Sequence, residues 1–519
     1  MDSDIPPIEA SHRFSSPEKD VAILATGAGI ALGGRVGGRG LYAITEIALA
    51  RMLGPALFGL FTIGTTILRI VGTIGMLGLN NGVIHFGTKY WRTSPSNFKS
   101  VLYYSISISL ASGVFLGISL FLLTPWLAVQ VFKKPDLVPV FNWIAFLFPL
   151  AIGLWVSAAA TRITQRMQFS IFAMDLAQPG INLILIIAIA LVGLTLSRVL
   201  SATVISYAAA LGLSLFFIIH LFSEAVSSPF GSKFSSKELL VYSMPTGLAG
   251  TFALLTGWTS RLFIVYYHPA EIAGIYQAAS QISILFIIIL EGINAIFAPM
   301  IADMYVKKEI KGLEELYRIS TKWGLYMSIP IFLVICIIPQ EFMVAIFGEA
   351  YAKGAIPLVI LAITQVVNVG TGAVGFLLIM TGHQKRWFLL SLITMSLNLI
   401  LNALLVPRIG MIGAALATAI AVCGLFIAGL VQVRLILDLW PYDRRFIKGA
   451  LAAGITAAVL FGLIYIIGFR IPILSVVLLL SISAITFGLL LLLQGLDKED
   501  KDTIQNVVHR IRFNKNLGS

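Results

Sequence analysis

The chain has 519 residues, of which 58% are hydrophobic and only 12% charged, with a mean hydropathy of +0.94. A water-soluble protein carries roughly 25% charged residues, and a single soluble core stops growing near ~250–300 residues, so a large soluble domain is excluded. The two cysteines, Cys336 and Cys423, sit in apolar runs with no Cys or His at ligand spacing, which argues against a disulfide framework or a structural zinc.

Apolar runs long enough to cross a bilayer, about 20 residues, recur from Val21 to Gln494. The first 20 residues are polar, and the apolar run behind them is too long for the h-region of a cleavable signal peptide. The pattern predicts an all-α integral membrane protein with fourteen spans, near 22–50, 57–83, 101–127, 138–160, 171–195, 199–222, 240–266, 272–300, 322–346, 355–380, 387–406, 411–433, 447–468 and 471–494. The first is rich in glycine, which favours a bent or tilted helix over a straight one. The mixed charges of Lys307–Lys322 fall at helical spacing and predict an interfacial helix. The run Asp497–Asp502 reads as a solvated tail, with a lipid-headgroup role for its basic residues as the alternative.

With the N-terminus inside, the inner segments hold 25 Lys and Arg, the outer segments 7, and the spans four. This bias puts both termini in the cytoplasm of a multi-pass protein of the cell membrane. It also explains the +12 formal charge as topology, so nucleic acid is not an expected partner. The loops are too short to fold alone.

The chain repeats weakly at about 215 residues. Leu53-Gly54-Pro55-Ala56 with Gly59 after span one resembles Tyr267-His268-Pro269-Ala270 with Gly274 after span seven; Pro179–Leu185 similarly pairs with Ser396–Leu401. Six spans is an even number, so both copies have one orientation, as in a parallel repeat about an axis along the membrane normal. The expected organisation is a cytoplasmic tail (1–20), two six-helix lobes (21–225 and 226–440), an appended helix pair (441–495) and a second cytoplasmic tail (496–519).

Four arginines lie within spans: Arg35 and Arg39 in the first, Arg69 in the second and Arg261 in the seventh. Each costs roughly 2.5–3.5 kcal/mol at a helix centre on insertion scales, so each needs a use. Arg35 and Arg39 are one turn apart and share a face. One reading is a cationic cavity for an anionic substrate, since the planar, permanently charged guanidinium suits phosphate. The other is structural pairing with the intramembrane acids Glu46, Asp175 and Glu291, which alternatively carry a coupling proton or sodium ion. Trp258, Tyr242, Gln277, Gln281, Asn294 and Asn368 are candidates for sugar contacts or for helix–helix hydrogen bonds. His85 and His220 read as interface residues, and Pro179, Pro245, Pro299 and Pro330 as kinks.

The stretch Ile47–Phe61, reading IALARMLGPALFGLF, resembles a signature of the polysaccharide (O-antigen) flippases of the multidrug/oligosaccharidyl-lipid/polysaccharide exporter superfamily. Gly382-His383-Gln384-Lys385, Asn398, Asn402 and Pro407–Thr418 are similar to a second, and Arg261 with Gly274-Ile275-Tyr276 to a third. Ser260 departs from the pattern, in which an Asp commonly precedes the Arg; a local ion pair is thereby lost. The resemblance implies a V-shaped bundle of two six-helix lobes plus two helices. It implies movement of polyprenyl-diphosphate-linked oligosaccharide from the inner to the outer leaflet by alternating access, for cell-surface polysaccharide biosynthesis. It also implies that Arg35, Arg39, Arg69 and Arg261 hold the diphosphate, with a polysaccharide polymerase or ligase as a possible partner. No cofactor is expected beyond a proton or sodium gradient. A drug or cation exporter of the same superfamily is the alternative, disfavoured by the arginine-rich, acid-poor spans. A membrane-embedded polyprenyl-phosphate glycan transferase or ligase would need clustered acids for a metal, or a large outer loop, and the sequence offers neither within its spans.

Overall fold

The computed structural model describes residues 17–231, 234–467 and 472–495, with side chains at 17–32, 35, 248–254, 295, 296, 298, 299 and 467 outside the description. The predicted tails fall almost wholly beyond these residues. In chain order the helices are α1 (Pro17–Gly75), α2 (Leu79–Tyr90), α3 (Pro95–Pro125), α4 (Leu137–Thr161), α5 (Met167–Ile171) and α6 (Gln178–Val192). They continue with α7 (Leu196–Leu221), α8 (Ser223–Ser227), α9 (Ser236–Tyr267), α10 (Ala270–Val306), α11 (Ile310–Ile337) and α12 (Pro339–Phe347). The last are α13 (Ala355–Thr371), α14 (Val374–Met380), α15 (Gln384–Leu437), α16 (Arg445–Ile467) and α17 (Pro472–Leu493). Single π-helical turns, Trp126–Val131 and Phe172–Ala177, extend α3 and join α5 to α6.

The predicted spans fall mostly on helix, with breaks at 76–78 inside the second and at 372–373 inside the tenth, and among the described residues eleven helical stretches are long and apolar enough to cross a membrane. Two of these contain kinks, so helices and predicted spans do not correspond one to one. The break expected at 51–56 is a single non-helical residue, Gly54, at φ 71° and ψ 168°. Glycine adopts that left-handed backbone at little cost, and Pro55 behind it is suited to restart a helix because its missing N–H needs no partner there. The break expected after 406 is likewise confined to Ile409 and Gly410. Two expectations need correction. The interfacial helix over Lys307–Lys322 is not separate: α11 starts at Ile310 and runs unbroken into the apolar stretch, Gly312 and Gly324 both keeping helical backbone and the first proline being Pro330. The helix of span nine instead ends at Ile337, and after Ile338 the short α12 opens at Pro339.

Within the N-terminal half, α4 packs on α3, α7 and α1, and α6 packs on α7 and α1. Within the C-terminal half, α15 packs on α9 and α13, and α10 on α13 and α11. The two halves meet where α1 lies along α10 and α2 along α9, while α16 and α17 pack on α11 and α12. The main apolar core crosses the junction, running from Leu49 and Phe58 through Phe141 to Ile275, Phe286 and Tyr351. Large apolar side chains such as Leu122, Leu191 and Leu493 remain exposed on the outside, as expected of a surface solvated by lipid rather than water.

Backbone meets backbone twice along the junction. A Cβ on Gly59 would strike the carbonyl of Ala270, and one on Gly274 would strike the carbonyl of Pro55 and lie 2.9 Å from the Gly59 nitrogen. A shift of 215 residues carries Gly59 onto Gly274 and Pro55 onto Ala270, so the two are copies of one contact about a local twofold axis. At the other end Gly78, at φ 69°, lies against Gly247 and Ser243, and Gly82 against Ser243. Near these glycines His85 of α2 stacks on Tyr242 of α9 with ring centroids 4.1 Å apart.

Candidate functional site

Helical spacing brings the charged residues together. On α1, Arg39, Tyr42 and Glu46 recur three and four residues apart and so share a face. On α9, Trp258 and Arg261 are three apart, and on α10, Gln277 and Glu291 are separated by nearly four whole turns. These faces converge on the seam between the halves, along with Arg69 from the part of α1 beyond the Gly54 kink.

At one level of the seam, Arg39 Nη2 pairs with Glu291 Oε1 at 2.6 Å, with the two side chains 39% and 45% exposed. At the next, Arg261 Nε donates to Gln277 Oε1 at 2.5 Å, and Gln277 Nε2 donates to Glu46 Oε2 at 3.2 Å. A neutral amide thus separates the buried Glu46 carboxylate from the buried Arg261 guanidinium, which also donates to the Gly257 carbonyl at 2.5 Å. The indole of Trp258 serves both remaining arginines: Arg261 Cζ lies 4.5 Å from its centroid and Arg69 Cζ 4.9 Å. Tyr42 and Tyr276 add faces at 5.4 Å to Arg69 and 5.8 Å to Arg261. Among the described residues no carboxylate lies within 4 Å of either guanidinium. Aromatic faces stabilise a cation without cancelling its charge, so the seam keeps its positive potential.

Two cavities adjoin Arg69. One of about 270 Å³ is bounded by α1, α2, α4, the chain near Met174 and α9, and includes Arg69, Asn80, Trp155, Arg162 and Trp258. The other, about 30 Å³, lies between α1, α6 and α7 beside Glu46, Arg69, Gln178, Asn182 and Tyr207. It has room for a water molecule, and the buried Oδ1 of Asn182 has no hydrogen-bond partner among the described residues.

Of the residues expected from sequence, the structure brings Arg39, Glu46, Arg69, Arg261 and Glu291 into one seam. The Arg35 side chain lies outside the described residues. Asp175 falls in the π-helical turn and packs on α1, where a Cβ on Gly38 would lie 2.6 Å from its own Cβ. Trp258 and Gln277 are in the seam, whereas Tyr242 stacks on His85 and Asn368 donates to Gln365 at 3.1 Å. His220 stacks on Phe216. Sequence reasoning missed Arg162, Asn80 and Trp155. Arg162 reads as a loop cation; only the 3-10 turn Arg162–Thr164 at the end of α4 returns it to the cavity wall, with its Nε donating to Ser170 Oγ at 2.9 Å.

The family model described as "Polysaccharide biosynthesis protein" matches residues 48–356, more than half of the chain. A relative described as a probable low-salt glycan biosynthesis flippase, Agl15 of Haloferax volcanii, is 27% identical over 183 residues, covering 35% of this chain and 38% of that protein. The chain therefore matches less than half the length of this curated relative. Among solved structures, the lipid II flippase MurJ in an inward closed conformation superposes with a TM-score of 0.69 at 13% identity, over 87% of this chain and 96% of that one. An inward-facing multidrug resistance transporter of the MATE family, in the MOP superfamily, gives 0.62 at 17% identity over 77% and 94%. This polytopic, all-helical chain, with its cationic seam between two packed halves, belongs to the polysaccharide biosynthesis protein family and has the fold of the multidrug/oligosaccharidyl-lipid/polysaccharide exporter superfamily.

Proposed function

We propose that the protein is a flippase for oligosaccharide linked to a polyprenyl carrier through a diphosphate, moving it from the cytoplasmic to the outer leaflet. The observation that carries this reading is the pair Arg69 and Arg261, stacked on the shared Trp258 ring with no carboxylate within 4 Å among the described residues. An intramembrane cation without a neutralising partner is costly, and a diphosphate offers matching charge and bidentate geometry. Membership in a polysaccharide biosynthesis family supports a glycan-bearing substrate.

In this reading the lobes 21–225 and 226–440 rock against each other by alternating access, with 441–495 as an appended pair. The diphosphate sits on Arg69 and Arg261, with Arg39 available once its pair with Glu291 opens. The glycan occupies the polar interior, the polyprenyl tail stays in lipid, and a polymerase or ligase outside takes the product. The 25-to-7 distribution of Lys and Arg supports cytoplasmic termini in the cell membrane. Glu46 is the group on which we place a coupling proton or sodium ion, because it is buried beside a water-sized cavity and shares Gln277 with Arg261.

The test is transbilayer movement of a fluorescent polyprenyl-diphosphate oligosaccharide in proteoliposomes. Wild type should move it, and an Arg69→Ala/Arg261→Ala variant of equal insertion and melting temperature should lose at least tenfold. Equal movement in both would remove the seam from the mechanism. No movement of any glycan by wild type, together with export of an organic cation, would favour the drug-exporter alternative.

A further inference from the structure

We infer that two crossed straps latch the halves together at the end of the junction near Gly54, the outer end in the orientation proposed above, and that the strap carrying Lys134 is the one that releases when this end opens. The inference deepens the transport reading: it rests on alternating access, not on the identity of the cargo.

Helix-end carbonyls of each half are met by side chains of the other. In α9 the carbonyl of Val265 would accept from the N–H of residue 269, but that residue is Pro269 and has none. Ala50 lies in the last turn before the kink at Gly54. Ala345 and Ile346 lie in the last turn of α12, where carbonyls have no donor within the helix. Lys134, in the turn just ahead of α4, donates from Nζ to the Val265 carbonyl at 2.5 Å and more weakly to its own Phe132 carbonyl at 3.4 Å. The Tyr351 hydroxyl, in the 3-10 turn Glu349–Gly354 ahead of α13, donates to the Ala50 carbonyl at 2.7 Å. Arg51 Nε donates to the Ile346 carbonyl at 2.6 Å, and its Nη2 to that of Ala345.

The straps are copies of one another. Ala50 and Val265 are 215 residues apart, and Lys134 and Tyr351 are 217 apart. Each half therefore sends the turn before its fourth predicted span across to the end of the other half's first, about the same local twofold axis as the Gly59 and Gly274 contact. Bonds that join the halves at this end cannot survive a separation of the halves there.

The two straps differ in strength. On the α1 side three bonds act together, and the Tyr351 ring is buried against Phe58 and Phe347, with centroids 6.4 and 5.6 Å away. Opening that edge would expose an aromatic ring to water. On the α9 side the repeat counterpart of Arg51 is the exposed Tyr266, which leaves Lys134 to hold the edge with one bond across the halves. Partial burial pushes the Lys134 ammonium below its ordinary pKa, because the charge has lost part of its hydration. Lifting the turn returns that hydration and replaces one carbonyl by water, so this edge separates at the lower cost.

The experiment measures distances between spin labels in the full chain lacking Cys336 and Cys423, in phosphatidylcholine nanodiscs without cargo. Asp136→Cys with Tyr267→Cys spans the Lys134 strap. Met52→Cys with Glu349→Cys, its repeat counterpart, spans the other, and all four positions are exposed. Lys134→Met should raise the open-to-closed ratio at the first pair about 3- to 10-fold, the worth of one hydrogen bond, and at the second pair by less than about twofold. Lys134→Arg, which keeps a donor, should stay near the parent. Tyr351→Phe should act at the second pair instead. Variants are compared at matched melting temperature, and Lys134→Gln replaces Lys134→Met if the latter fails to insert. Unchanged distances at the first pair in Lys134→Met would make Lys134 a helix cap and overturn the inference. Equal widening of both pairs would overturn it too, since the straps would then be equivalent. If the first pair opens as expected but wild type moves no glycan lipid in proteoliposomes, the latch stands and the flippase reading fails. If wild type moves the lipid and the first pair does not respond, the latch alone fails.

Discussion

Glu291→Gln separates two uses of Arg39, as a substrate ligand or as a clamp between α1 and α10. The pair is short, 2.6 Å, yet its side chains are 39% and 45% exposed, so solvent screens it and its worth is that of an exposed pair, about 0.2–1 kcal/mol. Removing the carboxylate charge should therefore lower the melting temperature by no more than about 2 °C. If the diphosphate competes with Glu291 for Arg39, the same substitution removes the competitor. Affinity for polyprenyl diphosphate should then rise by the factor the pair had cost, about 1.4- to 5-fold. Arg39→Ala should act in the opposite direction. It deletes a charge-assisted contact worth about 1.5–3 kcal/mol and leaves Glu291 facing an anionic substrate, so affinity should fall about 10- to 150-fold. The double variant should lie between the singles. Binding in nanodiscs and flipping in proteoliposomes read all four proteins. Singles that weaken binding alike, with a double that adds nothing, would make the pair a clamp and remove Arg39 from the substrate site.

Trp258→Leu should destabilise the seam by about 1–4 kcal/mol, the sum of two partly desolvated cation–π contacts, whereas Trp258→Phe should retain a large share; equal losses of melting temperature in both would show that the ring face does not hold the arginines. Glu46→Gln keeps an acceptor for Gln277 but removes the charge, and should abolish the dependence of transport on a proton or sodium gradient while binding persists. The same gradient dependence in wild type and variant would acquit Glu46. Gly274→Val should part α1 from α10 at an overpacking cost of about 1–3 kcal/mol. Maleimide labelling of a cysteine placed at the buried Thr62, in a chain lacking Cys336 and Cys423, should then accelerate; an unchanged rate would place the steric block elsewhere.

Much of this architecture was legible in the sequence because bilayer thickness and backbone hydrogen bonding leave few choices to a 20-residue apolar run. Breaks were less legible. Gly54 and Ile409–Gly410 read as loops but are kinks, since one left-handed residue suffices to turn a helix. Charge placement was half legible: span-embedded arginines stand out against apolar neighbours, so Arg39, Arg69 and Arg261 could be named. Their partners could not, because the Arg39–Glu291 bond joins residues 252 apart and the Gln277–Glu46 bond residues 231 apart. Arg162 was hidden for the opposite reason. In sequence it is one more basic residue between spans, and its place at a cavity wall depends on a three-residue turn that leaves no periodic trace.

The doubled contact at Gly59 and Gly274 has the form of a homodimer interface folded into one chain. Two half-length chains, each carrying one such glycine, could pair through the same contact. The charges do not follow this symmetry: carried across by the 214–215-residue offset, Glu46 falls on Ser260 or Arg261, so where one half holds an acid the other has none. Two identical subunits could not have differed at that point. Within one chain the halves are free to differ there, so on either side of a symmetrical glycine contact Glu46 and Arg261 share Gln277 as unlike groups.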